Sequence, residues 1–93
     1  MNKNKTWEVN TTKFYETHDL IINGEIIELF TYHNGNVNIL GNFLIDCSKF
    51  ESTGSLDLDR LKVEKRIRKQ CEDEIKELQN ILNGLGRWFL FWK

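Results

Sequence analysis

Apolar and polar residues alternate along the first half of the chain and gather into a helical stripe along the second. Residues 6–12 set Trp7, Val9 and Thr11 against Glu8, Asn10 and Thr12, the period of two of a half-buried strand. Extended runs follow over 14–22 and 25–32, joined by Asn23-Gly24. Asn-Gly between apolar runs marks a two-residue type I′ loop, because both central residues take positive φ. Asn34-Gly35 marks a second hairpin, into a strand over 37–47 that passes a bulge at Gly41.

Two-residue loops fix a register. Ile21 falls opposite Ile26, Leu20 opposite Ile27, Asp19 opposite Glu28, Tyr32 opposite Val37 and Phe30 opposite Ile39. One face then carries Ile21, Ile26, Phe30, Tyr32, Val37 and Ile39, and the other Leu20, Ile22, Ile27, Leu29 and Leu40. Both faces are apolar enough to call for cover, and one helix covers only one of them.

A polar linker over 51–56 leads into a helix predicted over 57–83, capped by Ser55 or Asp57 and stopped by Gly84 at C′. At about 100° per residue, Val63, Ile67, Cys71, Ile75, Leu78, Ile81, Leu82 and Leu85 share about 120° of arc. The steps from Cys71 through Ile75, Leu78 and Leu82 to Leu85 are those of a heptad, over fewer repeats than a coiled coil needs alone. Such a helix is about 42 Å long, against roughly 32 Å across a compact domain of this size. It therefore breaks near residue 62, overhangs, or packs on a second copy. The aromatic run over 87–92 is apolar on both strand faces, follows two glycines, and reads as a strand returning to the sheet. The expectation is an α+β single domain over 1–93: an antiparallel β-meander of four to five strands, one long amphipathic helix and a C-terminal aromatic strand.

Charge changes this picture in one place. Thirteen Lys and Arg nearly balance fourteen Asp and Glu, which disfavours a general polyanion binder. Six of the cations nevertheless fall within 60–69, and four acids, Glu72, Asp73, Glu74 and Glu77, follow them. That order opposes the helix macrodipole and needs some other benefit, such as an antiparallel helix partner or an acidic target. A solvated helix face is the plainer reading.

Little else points to chemistry. Cys47, Cys71, His18 and His33 lack metal-ligand spacing, and no phosphate-binding glycine motif occurs, so no metal or cofactor is expected. Asp19 and Glu28, with His18 nearby, form the one carboxylate pair, too little for a hydrolase without a cleft. The longest apolar run, 88–92, is far short of a membrane span of about 20 residues. The first residues carry lysines but no apolar stretch, so we expect no signal peptide, a cytoplasmic setting and reduced thiols. Absent Ala and Pro, with ten Asn, nine Ile and nine Lys, suggest an AT-rich gene of the kind common in phages and mobile elements.

The function this predicts is not enzymatic. A small protein-binding protein, such as an inhibitor, immunity protein or phage-encoded antagonist, would occupy a target with an acidic surface. Lys62, Lys65, Arg66 and Lys69 would steer it, Tyr32, Trp88 and Trp92 would anchor it, and homodimerisation would fit the overlong helix. The alternative is a nucleic-acid-binding accessory protein using the cations of 60–69. A metal-dependent hydrolase built on Asp19, Glu28 and His18 is the third reading.

Overall fold

The computed structural model describes residues 4–46 and 48–91, with side chains through residue 85. Five strands, β1 (Lys5–Thr11), β2 (Glu16–Ile22), β3 (Glu25–His33), β4 (Asn36–Ile39) and β5 (Phe50–Glu51), precede one helix, α1 (Leu56–Phe91). The strands form a single sheet in chain order, every neighbouring pair antiparallel. The α+β class and the meander are as the sequence predicts.

Both Asn-Gly loops are type I′ in sign. Asn23 and Gly24 have φ of 54° and 82°, and Asn34 and Gly35 of 51° and 78°. The pairs Ile21–Ile26, Tyr32–Val37 and Phe30–Ile39 form as expected. The register slips elsewhere. A bulge leaves Ile27 unmatched, so Leu20 faces Glu28 and Asp19 faces Leu29. Asn42 holds it in place, donating from Nδ2 to the carbonyls of Ile26 (2.8 Å) and Ile27 (3.1 Å).

This one-residue slip reassigns the faces. Leu20 joins Trp7, His18, Phe30, Tyr32, Val37 and Ile39 on the helix side, whereas Ile21 and Ile26 turn away. Phe30, Val37, Ile39, Leu44 and Val63 form the core, with Trp7, Phe50 and Ile67 packed around it.

The fourth strand is shorter than expected and ends at Ile39. Gly41 turns the chain at φ 79°. Glu28, wholly buried, then gathers the loop: its carboxylate accepts from the backbone N–H of Asn42 (2.7 Å), Phe43 (2.9 Å) and Leu44 (2.8 Å), and from Leu29 (3.0 Å). Those N–H groups are thereby lost to any strand ladder. The second strand starts at Glu16 rather than residue 14, because Thr12 closes a turn to Tyr15.

The helix differs most. Ser55 caps it, its carbonyl accepting from Asp59 N–H (3.0 Å) and its hydroxyl from Leu58 N–H (3.4 Å). It runs unbroken past residue 62, Gly84 and Gly86 to Phe91. The strand expected over 87–92 is therefore helix over 87–91, and Trp92 lies outside the described residues. Gly84 is not among the positive-φ glycines, and no C′ stop forms there. Continuing a formed helix costs only about 1 kcal/mol per glycine, less than breaking it without a sheet edge within reach.

Candidate functional site: the projecting helix and the head that holds it

The 36 residues of α1 span about 54 Å, matching the 58 Å long dimension of the molecule, whose other extents are 26 and 24 Å. The first third of the helix lies on the sheet. Between Tyr32 and Ile26 the third strand rises about 20 Å, the length of about 13 helical residues. The sheet consequently runs out near Cys71. Beyond that point every residue through Leu85 is exposed.

Polar side chains hold the helix to the sheet at several levels. Asp59, fully buried one turn into the helix, accepts from Tyr32 Oη (2.7 Å), Ser52 Oγ (2.6 Å), Thr53 N–H (2.8 Å) and Thr53 Oγ1 (2.8 Å). Burial works to raise its pKa, but these donors prevail and hold it at about 2. Tyr32 is pushed up to about 12, by burial first and then by Asp59.

At the next residue, Arg60 lies 5.5 Å from the Trp7 ring and donates from Nη2 to His18 Nδ1 (3.3 Å). His18 is buried and stacks on Phe30 at 4.9 Å. Its pKa is lowered by burial first and by the Arg60 charge second, against the opposing pull of Glu16 and Asp19. Accepting at Nδ1 places the neutral ring's proton on Nε2.

Glu64 accepts from Lys5 Nζ (2.8 Å) and Trp7 Nε1 (2.7 Å), tying the helix to the edge strand β1. Burial would raise the pKa of Glu64, but these two donors outweigh it and lower it. Gln70 forms the last tie, accepting from Ile45 N–H (2.8 Å) and donating to the Phe43 carbonyl (3.1 Å).

Past these ties the apolar stripe is bare. Ile75, Leu78, Ile81, Leu82 and Leu85 are each 52–64% exposed, whereas Val63 on the same stripe is fully buried. Isolated exposed aliphatic side chains are ordinary, but five aligned on one projecting helix form a contiguous patch. Beside the stripe's inner end is a cleft of about 430 Å³ lined by Lys5, Leu20, Ile22, Glu64, Ile67 and Arg68.

The residues singled out in the sequence are scattered around this frame. Lys62 and Arg66 both sit over the Phe50 ring, at 5.1 and 4.9 Å, and Arg66 also donates to Ser48 O and Oγ at 3.1 Å each. Lys69 pairs loosely with Asp73 at 3.4 Å, and Lys65 is exposed. Tyr32 spends its hydroxyl on Asp59, while the residue stays 38% exposed. The Trp88 side chain and Trp92 lie outside the described residues. Cys71 is a half-buried free thiol, and Cys47 is outside the description.

The expected carboxylate pair does not form. Asp19 projects from the sheet face opposite to His18 and Glu28, and Glu28 is saturated by loop N–H groups. Among the described residues no three His, Cys, Asp or Glu gather where they could hold a metal ion. No helix among them is long and apolar enough to cross a membrane.

Sequence reasoning missed Asp59, Glu64 and Gln70. Asp59 carries the one available signal, an acid in the first helical turn, but its Tyr32 partner is 27 residues away. Comparison with protein-family models, with curated proteins and with solved structures returned no match.

Proposed function

We propose that this chain is a small non-enzymatic protein-binding protein of the inhibitor, immunity or phage-encoded antagonist kind, working in the cytoplasm. Its binding element is the helix that leaves the head. The observation that supports this most is the bare stripe of Ile75, Leu78, Leu82 and Leu85, each more than half exposed, on a helix segment whose described side chains are all exposed from residue 72 through Leu85. Apolar residues at i, i+3, i+4 and i+7 are the pattern by which a helix lies in a partner's groove or against another helix. Lys62, Lys65 and Lys69, exposed on the head-bound part of that helix, would steer an acidic partner.

The nucleic-acid reading draws less support. Arg60 is turned inward onto Trp7 and His18, and Arg66 is engaged with Ser48 and Phe50. The six cations of 60–69 therefore do not present one phosphate-tracking face.

The test is a tagged capture from source-cell lysate after nuclease treatment, run with the natural chain and with the double variant Leu78→Glu/Leu82→Glu. The reading expects a stoichiometric protein retained by the natural chain and lost by the variant. Capture that disappears with nuclease, or that ignores the variant, would contradict it.

A further inference from the structure

We propose that the projecting helix pairs antiparallel with the same helix of a second copy, about an axis level with residue 80. This rests on the reading above, that the helix is a protein-binding element, and names the partner that takes the apolar stripe.

The first argument is periodicity. Ile67, Cys71, Ile75, Leu78, Leu82 and Leu85 fall within about 80° of arc at 100° per residue. The 4-3-4-3 spacing from Cys71 to Leu85 belongs to helix-on-helix packing, and residue 89, also apolar, continues it. An axis at residue 80 sets Ile75 against Leu85 of the second copy, and Leu78 against its Leu82. Ile75, Leu78, Leu82 and Leu85 then each face an apolar counterpart, and Ile81 falls level with Gln79 beside them.

The second argument is area. At roughly 100 Å² for an aliphatic side chain of this size, five in each copy place about 1,000 Å² in the interface. That is the level a specific interface needs, before the turns beyond Leu85 are added.

The third argument is charge, and it sets the direction. Residues 72–77 hold four carboxylates and one lysine, a net charge of −3, while residues 78–91 hold only Arg87. A parallel pair would set the two acidic segments level with each other. The antiparallel pair sets each level with residues 83–88 of the partner, which hold no acid. The acidic run, which lies in the middle of the observed helix, thereby acquires a role in orientation.

The arrangement also accounts for the cleft at the inner end of the stripe. Of its helical walls, Glu64 and Ile67 share the angular sector of the stripe and Arg68 borders it. The other copy's helix end, position 91, comes level with position 69, beside that cleft. Each head thus receives the end of its partner's helix. The cations at 62, 65 and 69 of the two heads stand far apart, and the dimer offers a target two equivalent basic sites.

The experiment combines mass with distance. Sedimentation equilibrium of the full chain should give twice the chain mass of 11.1 kDa. The Leu78→Glu/Leu82→Glu variant should give the single-chain mass with the head intact by far-UV and near-UV circular dichroism. Spin labels at Lys62→Cys, in a background with Cys47→Ser and Cys71→Ser, should lie about 54 Å apart in the antiparallel pair. A parallel pair would bring them within about 20 Å.

A natural chain that stays at 11.1 kDa, a higher oligomer, or a short label distance would overturn the inference. If the chain is monomeric yet the double variant still abolishes capture of another protein, only the identity of the partner falls. If the variant changes neither mass nor capture, the underlying reading falls as well.

Discussion

The Tyr32 hydroxyl donates a 2.7 Å hydrogen bond to Asp59 Oδ2, joining the middle of the sheet to the first turn of the helix. Both ends of this bond are committed inside the head. Tyr32→Phe should therefore cost about 1.5–3 kcal/mol, the range for a hydrogen bond to a charged group, and leave partner capture unchanged. Urea denaturation measures the first and the lysate capture the second. A loss of capture with full stability would instead place Tyr32 in the binding surface.

Acid should weaken the head in two steps, His18 first and then the carboxylates of Glu64 and Asp59. The depressed pKa of His18 means that its stabilising contribution is complete above its ordinary value of 6.5 and declines as the pH falls below that. Asp59, held at about 2 against an ordinary 3.8, contributes fully above 3.8 and loses its contribution as the pH falls toward 2. The Asp59 step is on the order of 2 kcal/mol. Urea midpoints followed from pH 7 downward should show both steps, and His18→Gln should remove only the upper one.

Glu28→Ala should be among the most damaging single changes. It leaves the N–H groups of Asn42, Phe43 and Leu44 without their acceptor, at a cost of at least about 3 kcal/mol. Amide exchange at those three residues should accelerate. A loop that keeps its protection in the variant would show that Glu28 is not what holds it.

The sequence predicts both hairpin loops and most of the register, because Asn-Gly chemistry acts over four residues and is local. The bulge at Ile27 is not local. It depends on Asn42, 15 residues downstream, reaching back to the carbonyls of Ile26 and Ile27. Missing it placed Leu20 on the wrong face. The helical stripe is equally legible, but not where its cover ends: that depends on how far the sheet extends beneath it. Val63 and Leu82 occupy the same stripe and differ from full burial to 64% exposure. The ties through Asp59, Glu64 and Gln70 join residues 25 to 59 positions apart and leave no periodic trace.

That division of the stripe separates two alanine substitutions. Val63→Ala should destabilise the head by about 2 kcal/mol, between the costs of Ile→Val and Leu→Ala in a core. Leu82→Ala should leave the head's stability unchanged and weaken partner binding. Denaturation in a Leu78→Glu background, which removes the partner's contribution, isolates the comparison.

The unbroken helix makes Gly84 a further test. Apart from its chain neighbours and the helix's own backbone, no described atom lies within 4 Å of a Cβ added there, and its φ is not in the left-handed region. Gly84→Ala should therefore add helix content and stabilise the segment by about 1 kcal/mol. A helix that ended at Gly84 in a left-handed cap would lose stability instead, and circular dichroism tells the two apart.

The claim that the projecting helix is a covered binding surface is tested most directly by amide hydrogen exchange over residues 75–85. A bare helical arm of this length with two glycines is marginal in water and exchanges quickly. Covered by a partner, its amides should exchange as slowly as those of the head, and Leu78→Glu/Leu82→Glu should release them while head protection stays constant. Fast exchange over 75–85 in the natural chain, at concentrations where it is otherwise fully folded and its captured protein is present, would contradict the account.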